Sequence, residues 1–301
     1  ASDPSVVIAQ DLMKRYPEIP SSLLVAGESP YPNAKVHSLE KMELAARHSL
    51  LIVTDSDVSV GRGYLRAIAS EFESPKTGLV TNLYRGIGGK DLWSKLEALG
   101  MSTEFMAGVV VADYLEGMKF SLGPSMGVRK TCLQTIGGFA SLADYLADDF
   151  VLGEKIYQKG YTVVLSAEVI SHHAYATGFS QSMGHRLRWN RSSRFSRPAG
   201  YFGQGFTYAL PWTLLLFLLA PTGWSAIALI ASLFLRACAA FALGTRLLED
   251  PAVLPRFWLI PLQDCLSFAS WVGGFFGREV TWRKVRYQIL AQGRLSRIKA
   301  P

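Results

Sequence analysis

Two aspartates at the end of a short apolar run are the first residues that could do chemistry. The run 50–53 (Leu-Leu-Ile-Val) is followed by Thr54 and then by Asp55-Ser56-Asp57. A short apolar run bounded by polar residues is typical of a buried parallel strand, and side-chain alternation puts both carboxylates on one side. Ligands of open α/β sheets bind beyond the carboxyl ends of the strands, and paired carboxylates suit a hard divalent cation such as Mg or Mn. The pattern therefore favours a metal–phosphate site, with a plain polar turn as the alternative.

A second pair of carboxylates, Asp148-Asp149, opens the segment 146–159, which has helical spacing and is followed by Gly160. The spacing predicts a helix that the glycine ends. Taken alone, the pair is explained by a helix N-cap and a neighbour that the helix dipole favours. A catalytic role for either carboxylate needs further support.

The segment 180–204 is basic and contains His185-Arg186-Leu187-Arg188-Trp189. Cations on one side and Met183 and Leu187 on the other predict an amphipathic helix at a membrane interface. Arg188 is suited to bidentate binding of a phosphate, but an aromatic residue among cations is also a common anchor at headgroup level.

Composition divides the chain into a soluble head and a membrane-embedded tail. Hydrophobic residues make up 49% of the 301 residues, and the stretch 208–276 is almost free of charge. Three apolar segments, 206–220, 224–243 and 257–276, are long enough to be considered as spans, and the last two contain Arg236 and Asp264. The net charge of +7 lies largely beside these segments, which favours anionic lipid headgroups over nucleic acid as the partner. The three cysteines give no disulfide framework.

The order of segments predicts an α/β fold with a mostly parallel sheet. Asp3-Pro4 predicts the start of a helix, and 22–26 (Ser-Leu-Leu-Val-Ala) predicts a short strand after it. Because a doubly wound sheet normally begins with a strand, the sheet is expected to lack its first strand. Three regions follow: an α/β catalytic domain at 1–179, an amphipathic interfacial region at 180–204, and membrane helices with a basic end at 205–301.

Taken together and in order, these motifs resemble the membrane-bound inverting glycosyltransferases of families 2 and 21, in particular ceramide glucosyltransferases and their bacterial relatives, including hopanoid-associated glycosyltransferases. The likeness covers nearly the whole chain. The motifs that carry it are Asp3-Pro4, Asn33-Ala34-Lys35-Val36, Asp55-Ser56-Asp57, Leu146-Ala147-Asp148-Asp149-Phe150, Arg188-Trp189 and Trp282-Arg283-x-x-x-Tyr287.

The resemblance implies a GT-A fold and a role for each candidate residue. Asp57 would bind the metal, and Asp149 would be the catalytic base, with Asp148 in the position of the family's glutamate. The residues expected to bind the nucleotide or the substrates are Lys35, Asp55, His185, Arg188 and Trp189. The chain departs from the family at His185, where a Gln or Arg is usual, and in the anchor, strand and early aspartate that family members carry before the first helix.

The function that follows is transfer of a single sugar from a UDP-sugar to a lipid hydroxyl, with inversion and with help from a metal. The lipid would be a ceramide, a hopanoid or a similar molecule, and the integral membrane protein would hold its catalytic domain on the cytoplasmic face, where UDP-sugars are made. Two alternatives are a processive polysaccharide synthase, which would need a longer tail, and a non-catalytic membrane scaffold.

Overall fold

A mixed five-stranded sheet forms the centre of the head. The computed structural model describes residues 4–282 and 285–298. The elements of the head are, in chain order, α1 (Pro4–Arg15), α2 (Ala34–Ala45), β1 (Leu50–Thr54), β2 (Val58–Ser59), α3 (Tyr64–Ser70), β3 (Thr77–Gly88), α4 (Leu92–Gly100), α5 (Met106–Glu116), β4 (Ser125–Arg129), α6 (Lys130–Thr135), α7 (Asp148–Gln158) and β5 (Thr162–Ala174).

The strand order is β1-β4-β3-β5-β2, and the α/β class predicted from the sequence is confirmed. The expectation of a mostly parallel sheet is wrong in its pairing, because only β3 and β5 pair in parallel among the described strands. β4 lies between β1 and β3 and is antiparallel to both. The chain leaves β3 and enters β4 at the same end of the sheet, so β4 must run back. β1, β3 and β5 still share one direction, and their carboxyl ends form one edge.

The central strand β3 is buried at almost every position, as expected for a strand covered on both faces. Its side chains Leu79 and Val80 are fully buried and join one large core with Val128 of β4 and Val163 and Ile170 of β5. This core fixes the edge of the sheet from which the candidate residues project.

Two expectations near the start of the chain have different outcomes. Helix α1 forms, with none of its residues buried, while Asp3, its expected cap, lies outside the described residues. The predicted strand at 22–26 is wrong: the segment has no regular structure, and Leu23, Leu24 and Val25 are exposed. An extended segment needs a neighbouring strand for its backbone hydrogen bonds, and no strand among the described residues pairs with it.

Helices α4 and α5 form one continuous helix, Leu92–Glu116, through a π-helical turn at Met101–Phe105. The turn begins directly after Gly100. The 25-residue helix is one of two in the described chain that are long and apolar enough to span a membrane. Its ends, however, connect β3 and β4, which are hydrogen-bonded to each other. It therefore cannot carry the chain across a membrane by itself.

The tail begins with a long basic helix and ends in a small sheet. Its elements are α8 (Phe179–Ser196), α9 (Pro198–Gln204), α10 (Ala209–Leu219), α11 (Gly223–Ala240), α12 (Ile260–Gly274), β6 (Glu279–Trp282), β7 (Val285–Ile289) and β8 (Leu295–Arg297).

The second helix long and apolar enough to span is Gly223–Leu247, which is α11 extended by a π-helical turn. Pro198–Thr207 and Ala209–Leu219 would pass the same test only as a pair, and they are bent by 57°. The expected span at 257–276 is instead a short 3-10 helix followed by the 15-residue α12, about 22 Å long. Its polar residues face α8: Arg186 donates to Gln263 and Ser267, and Asn190 to Ser270.

The basic end of the chain folds back onto the head. The strand order is β6-β7-β8, and Tyr145 forms an antiparallel bridge with Arg294. Leu295 N–H donates to Asp144 C=O at 2.6 Å, and Leu146 N–H donates to Gly293 C=O at 3.2 Å. Arg283 and Lys284, part of the basic motif noted in the sequence, lie outside the described residues. The end of the described chain is therefore on the same side as the head.

Candidate active site

The first turn of α2 links the two carboxylate pairs. Asn33 is fully buried, and its Oδ1 accepts from the backbone N–H groups of Lys35 and Val36, which caps the helix. Its Nδ2 donates to the C=O of Tyr145 at 2.9 Å and to Asp148 Oδ1 at 3.1 Å. The cap that starts α2 therefore also holds the loop before α7.

Lys35 lies between the pairs. Its Nζ is 2.8 Å from Asp55 Oδ1. Burial alone would lower the pKa of Lys35, but the negative charges of Asp148, Asp55 and Asp149 outweigh it and raise the pKa. The structure therefore brings three carboxylates, those of Asp55, Asp148 and Asp149, near the ammonium group of Lys35. The sequence had suggested these residues from separate motifs.

Asp148 is the buried member of its pair, with 6% exposure. One carboxylate oxygen accepts from Asn33, and Oδ2 is buried without a hydrogen-bond partner among the described residues. Burial, opposed by the charge of Lys35, raises the pKa of Asp148 to about 6. Asp148 is therefore a fixed, partly desolvated carboxylate next to Asp149.

Asp149 is more open and lies in the first turn of α7, whose N-cap is Ala147. Its Oδ1 accepts from the N–H of Phe150 at 2.8 Å. Its Oδ2 lies so near Gly123 that a Cβ at position 123 would be only 2.7 Å away. Burial raises the pKa of Asp149, while Lys35 and the backbone N–H groups oppose the shift. Asp149 is thus a positioned carboxylate with an elevated pKa.

Asp57 lies at the other side of this edge, beside a histidine. Its Oδ2 is 3.4 Å from His172 Nε2, and its backbone C=O accepts from the N–H of His173 at 2.8 Å. The hydrogen bond from His172 lowers the pKa of Asp57, against the effect of burial. His172 was not among the residues expected from the sequence, because the pair His172-His173 has no metal-ligand spacing.

Tyr84, in the second half of β3, packs beside His172, and the sequence gave no signal for it beyond a strand. It is 7% exposed, and its ring contacts the ring of His172 edge-on at a centroid distance of 5.3 Å. Burial, together with the charges of Asp149 and Asp57, raises the pKa of its hydroxyl. Tyr84 therefore lies in the cleft between the two carboxylate groups.

The donor set fits a divalent cation that shares a substrate's oxygens. Asp57 Oδ1 is buried and has no hydrogen-bond partner in the described chain, so it is available as a ligand. The described residues contain no group of three or more His, Cys, Asp or Glu side chains that could hold a metal by themselves. A cation bound through Asp57 would therefore need substrate phosphates and water to complete its shell, as Mg²⁺ commonly does.

The basic motif of α8 lies against helix α4. His185 Nδ1 is 3.5 Å from Oε1 of Glu97, a buried carboxylate that the sequence analysis missed. The Trp189 ring is 6.2 Å from that of His185 and is 40% exposed. Burial lowers the pKa of Arg188, with Glu97 opposing the shift. No hydrogen bond or ion pair within the described ranges joins Arg188 to another side chain, and none joins this motif to the aspartates.

Comparisons with known proteins agree with the resemblance drawn from the sequence. The profile of the family described as "Glycosyl transferase family 21" matches residues 1–295. Ceramide glucosyltransferase 3 of Caenorhabditis elegans is 23% identical over 190 residues, 63% of this chain and 41% of that protein. Ceramide glucosyltransferase 1 of the same organism is 24% identical over 165 residues, 54% of this chain and 35% of that protein. The chain thus spans less than half the length of these relatives.

Solved structures give low overall similarity. A mannosyltransferase from Pyrobaculum calidifontis, in complex with GDP-Man and Mn2+, has a TM-score of 0.49 and 17% identity over 92% of this chain and 75% of that chain. TarS 1-349 of S. aureus, in complex with UDP-GlcNAc, has a TM-score of 0.37 and 12% identity over 100% of this chain and 88% of that chain. The family match over nearly the whole sequence is what decides the assignment: the chain belongs to glycosyl transferase family 21.

Proposed function

We propose that this protein transfers a single sugar from a UDP-sugar to a lipid hydroxyl, with inversion, at the surface of a membrane. The observation that carries the proposal is the arrangement around Lys35, where Asp55 and the Asp148–Asp149 pair meet at the sheet edge that also holds Asp57. Membership of family 21 supports glycosyl transfer as the reaction class.

The donor's diphosphate is assigned to the Asp57 side of the cleft. Asp57 would hold Mg²⁺ or Mn²⁺ through its unpartnered Oδ1, with His172 fixing the other oxygen. When bound, such a cation neutralises charge on a leaving diphosphate. Lys35 and Asp55 would contact the nucleotide or its sugar. Arg188 has donors free for a phosphate oxygen, which suits its fork geometry, and His185 and Trp189 lie on the same helix face.

The acceptor is assigned to the Asp149 side. The lipid oxygen attacks the anomeric carbon on the face opposite the diphosphate, the bond to UDP breaks with its electron pair, and the proton of the hydroxyl passes to the Asp149 carboxylate. An elevated pKa improves Asp149 as a base. Asp148 orients the turn through Asn33. A single displacement of this kind inverts the configuration.

A lipid acceptor and a membrane location suit the tail. Helix Gly223–Leu247 is strongly apolar and only 11% of its most apolar stretch is buried, so lipid is its natural surrounding. The relatives named ceramide glucosyltransferases act, by their names, on a lipid. A processive polysaccharide synthase would need more helices to enclose a polymer, so we favour single transfer.

The proposal is tested by mass spectrometry of lipids after incubating the membrane-bound protein with UDP-glucose, UDP-galactose or UDP-N-acetylglucosamine. Ceramide, diacylglycerol and a hopanoid polyol are supplied as acceptors. We expect one glycolipid carrying one sugar, with the anomeric configuration opposite to that of the donor and at least about a hundredfold less product from Asp149→Asn. A retained configuration, a polymer, or no glycolipid with any pair would refute the proposal.

A further inference from the structure

A cavity of about 380 Å³ lies between the first turn of α10 and one face of α11. On α11 it is lined by Ala228, Ala231 and Leu235, which are three or four residues apart and so share a face. On α10 it is lined by Leu210 and its neighbours. The volume is within the range of small-molecule sites, roughly 300 to 1,000 Å³. This α10–α11 cavity is open to the outside along Ala231 and Leu235, which are exposed, and its long apolar wall is of the kind that accepts an alkyl chain.

The other end of the α10–α11 cavity is polar and rich in acceptors. Arg236 binds Asp264 in bidentate fashion at 2.8 and 2.9 Å and also donates to the C=O of Thr103. Tyr208 O–H donates to Glu104 Oε1 at 3.0 Å. Ionisable side chains inside apolar helices are costly and commonly mark a functional site. Two carboxylates with one guanidinium lining the cavity disfavour an anionic headgroup.

These carboxylates still have capacity for a ligand's hydrogen-bond donors. A carboxylate can accept about four hydrogen bonds. The described residues donate one to each oxygen of Asp264 and one to each oxygen of Glu104. A hydroxyl or amide N–H of a neutral lipid matches this end, and its alkyl chain matches the wall of α11.

The same π-helical turn, Met101–Phe105, contributes one residue to the α10–α11 cavity and the next to the cleft. Glu104 lines the cavity, while the ring of Phe105 stacks on Tyr84 in the cleft at a centroid distance of 6.0 Å. π-Helical turns are frequent at functional sites. Gln263 links Glu104 at 3.4 Å to Arg186 at 2.6 Å, on the helix that carries the His185 motif. A molecule in this cavity is thus adjacent to the elements that line the cleft.

We propose that the α10–α11 cavity binds the acceptor, a neutral long-chain lipid with hydroxyl or amide donors, and presents its head to the cleft. The inference rests on the proposed function and names its acceptor site. The polar group of the lipid lies at Glu104, Asp264 and Arg236, and one alkyl chain lies along Ala228 and Ala231.

The test fills the α10–α11 cavity without touching the cleft. Ala231→Trp places an indole on the lining of the cavity, and Ile230→Trp, at the neighbouring position that is exposed but is not part of the lining, is the matched control. With ceramide in phosphatidylcholine nanodiscs, we expect the KM for ceramide to rise at least about tenfold in Ala231→Trp. The Kd for the UDP-sugar should be unchanged, and Ile230→Trp should behave as wild type. Ala228→Leu is a smaller change and should give a smaller rise in the KM for ceramide. It takes the place of Ala231→Trp in the test if Ala231→Trp loses UDP-sugar binding.

A second readout does not depend on turnover. A ceramide with a diazirine in its alkyl chain should label the wild-type segment Gly223–Ala240, and unlabelled ceramide should compete. Labelling elsewhere only, or labelling of Gly223–Ala240 that excess unlabelled ceramide does not reduce, would overturn the inference. A normal KM for ceramide in both Ala231→Trp and Ala228→Leu, while wild type makes glycolipid, would also overturn the inference. The proposed function would then remain without it. If wild type makes no glycolipid, the proposed function fails and the inference falls with it.

Discussion

Asp149 and Asp148 are adjacent carboxylates with different surroundings, and the difference predicts different roles. Asp149→Asn keeps the size of the side chain and its hydrogen bond from Phe150, but the amide cannot take the proton of the acceptor. We expect turnover to fall by roughly two to four orders of magnitude, the usual contribution of a positioned base, with normal UDP-sugar binding in calorimetry.

Asp148→Asn is the matched control for this prediction. An asparagine at 148 can still accept from Asn33 Nδ2, so the loop before α7 should keep its place and turnover should fall much less. Near-normal transfer by Asp149→Asn together with an inactive Asp148→Asn would show that Asp148 is the catalytic base.

The same pair predicts the pH dependence of the reaction. Burial raises the pKa of Asp148 to about 6 and raises that of Asp149 as well. A base with a raised pKa becomes protonated at higher pH, so kcat/KM should begin to fall at a pH above the ordinary aspartate value of about 4. Removing the neighbouring charge in Asp148→Asn should move this acid limb to lower pH. An acid limb that stays at the same pH in Asp148→Asn would show that the charge of Asp148 does not influence the titration of Asp149.

Stability should respond to pH in the opposite direction. Because the folded pKa of Asp148 is above its unfolded value, the native state binds more protons between about 4 and about 6. Its stabilising contribution is complete below the lower value and is lost as pH rises through about 6. Urea unfolding at pH 4.5 and 7 should therefore give a smaller difference for Asp148→Asn than for wild type.

Asp57 is predicted to bind the metal that holds the diphosphate. Its side chain is 40% exposed, so Asp57→Ala should leave the melting temperature nearly unchanged while abolishing metal-dependent UDP-sugar binding. His172→Ala should weaken this binding less, because His172 contacts the other oxygen of Asp57. Titration calorimetry with and without EDTA measures both effects. If EDTA leaves UDP-sugar binding by the wild type unchanged, Asp57 does not act as a metal ligand.

The sequence was sufficient to suggest the aspartate pairs, because each follows or opens an element with a clear period. It could not suggest how they meet. Asn33 reaches Asp148 across 115 positions of the chain, and contacts of this kind leave no local pattern. Tyr84 and Glu97 were missed for the same reason: one reads as a strand residue, and the other as a charged position in an apolar helix.

Helices α4 and α8 are joined by one buried carboxylate, and this predicts how the basic motif is positioned. Glu97 Oε1 is 3.5 Å from His185 Nδ1, and no described group donates a hydrogen bond to it. Glu97→Gln should loosen α8 and raise the KM for the UDP-sugar about tenfold, about 1.4 kcal/mol of binding, with a smaller change in kcat. His185→Gln, which restores a side chain usual in the family, should keep activity. A change in kcat alone would contradict a positioning role for Glu97.

Element types were predicted better than element pairings. The apolar run at β1 and the helical spacing at α7 gave correct elements, because a local period decides them. The antiparallel place of β4 depends on where a 25-residue helix returns the chain. The expected span at 257–276 was wrong because hydrophobicity alone does not reveal that Gln263, Ser267 and Ser270 face α8.

The whole molecule constrains how the tail meets a membrane. α8 leaves from the head, and the sheet β6-β7-β8 returns to it through Tyr145 and Arg294. We therefore predict that the chain between them crosses a membrane an even number of times. Three full spans, one for each apolar segment, would place the basic end of the chain on the side of the membrane opposite the head. That arrangement conflicts with the contact between Tyr145 and Arg294. The 57° bend before Ala209–Leu219 instead allows α10 and α11 to enter as a hairpin.

The last prediction follows from this return. We predict that the head and the end of the chain face the same side and that this side is the cytoplasm, where UDP-sugars are made. With the native cysteines replaced by alanine, single cysteines at the exposed positions Glu28 in the head and Gln288 in β7 report on each. We expect an impermeant thiol reagent to label neither in intact cells and both after the membrane is permeabilised. Labelling of both in intact cells would reverse the orientation, and labelling of Gln288→Cys alone would break the contact between β8 and the head on which the even number of crossings depends.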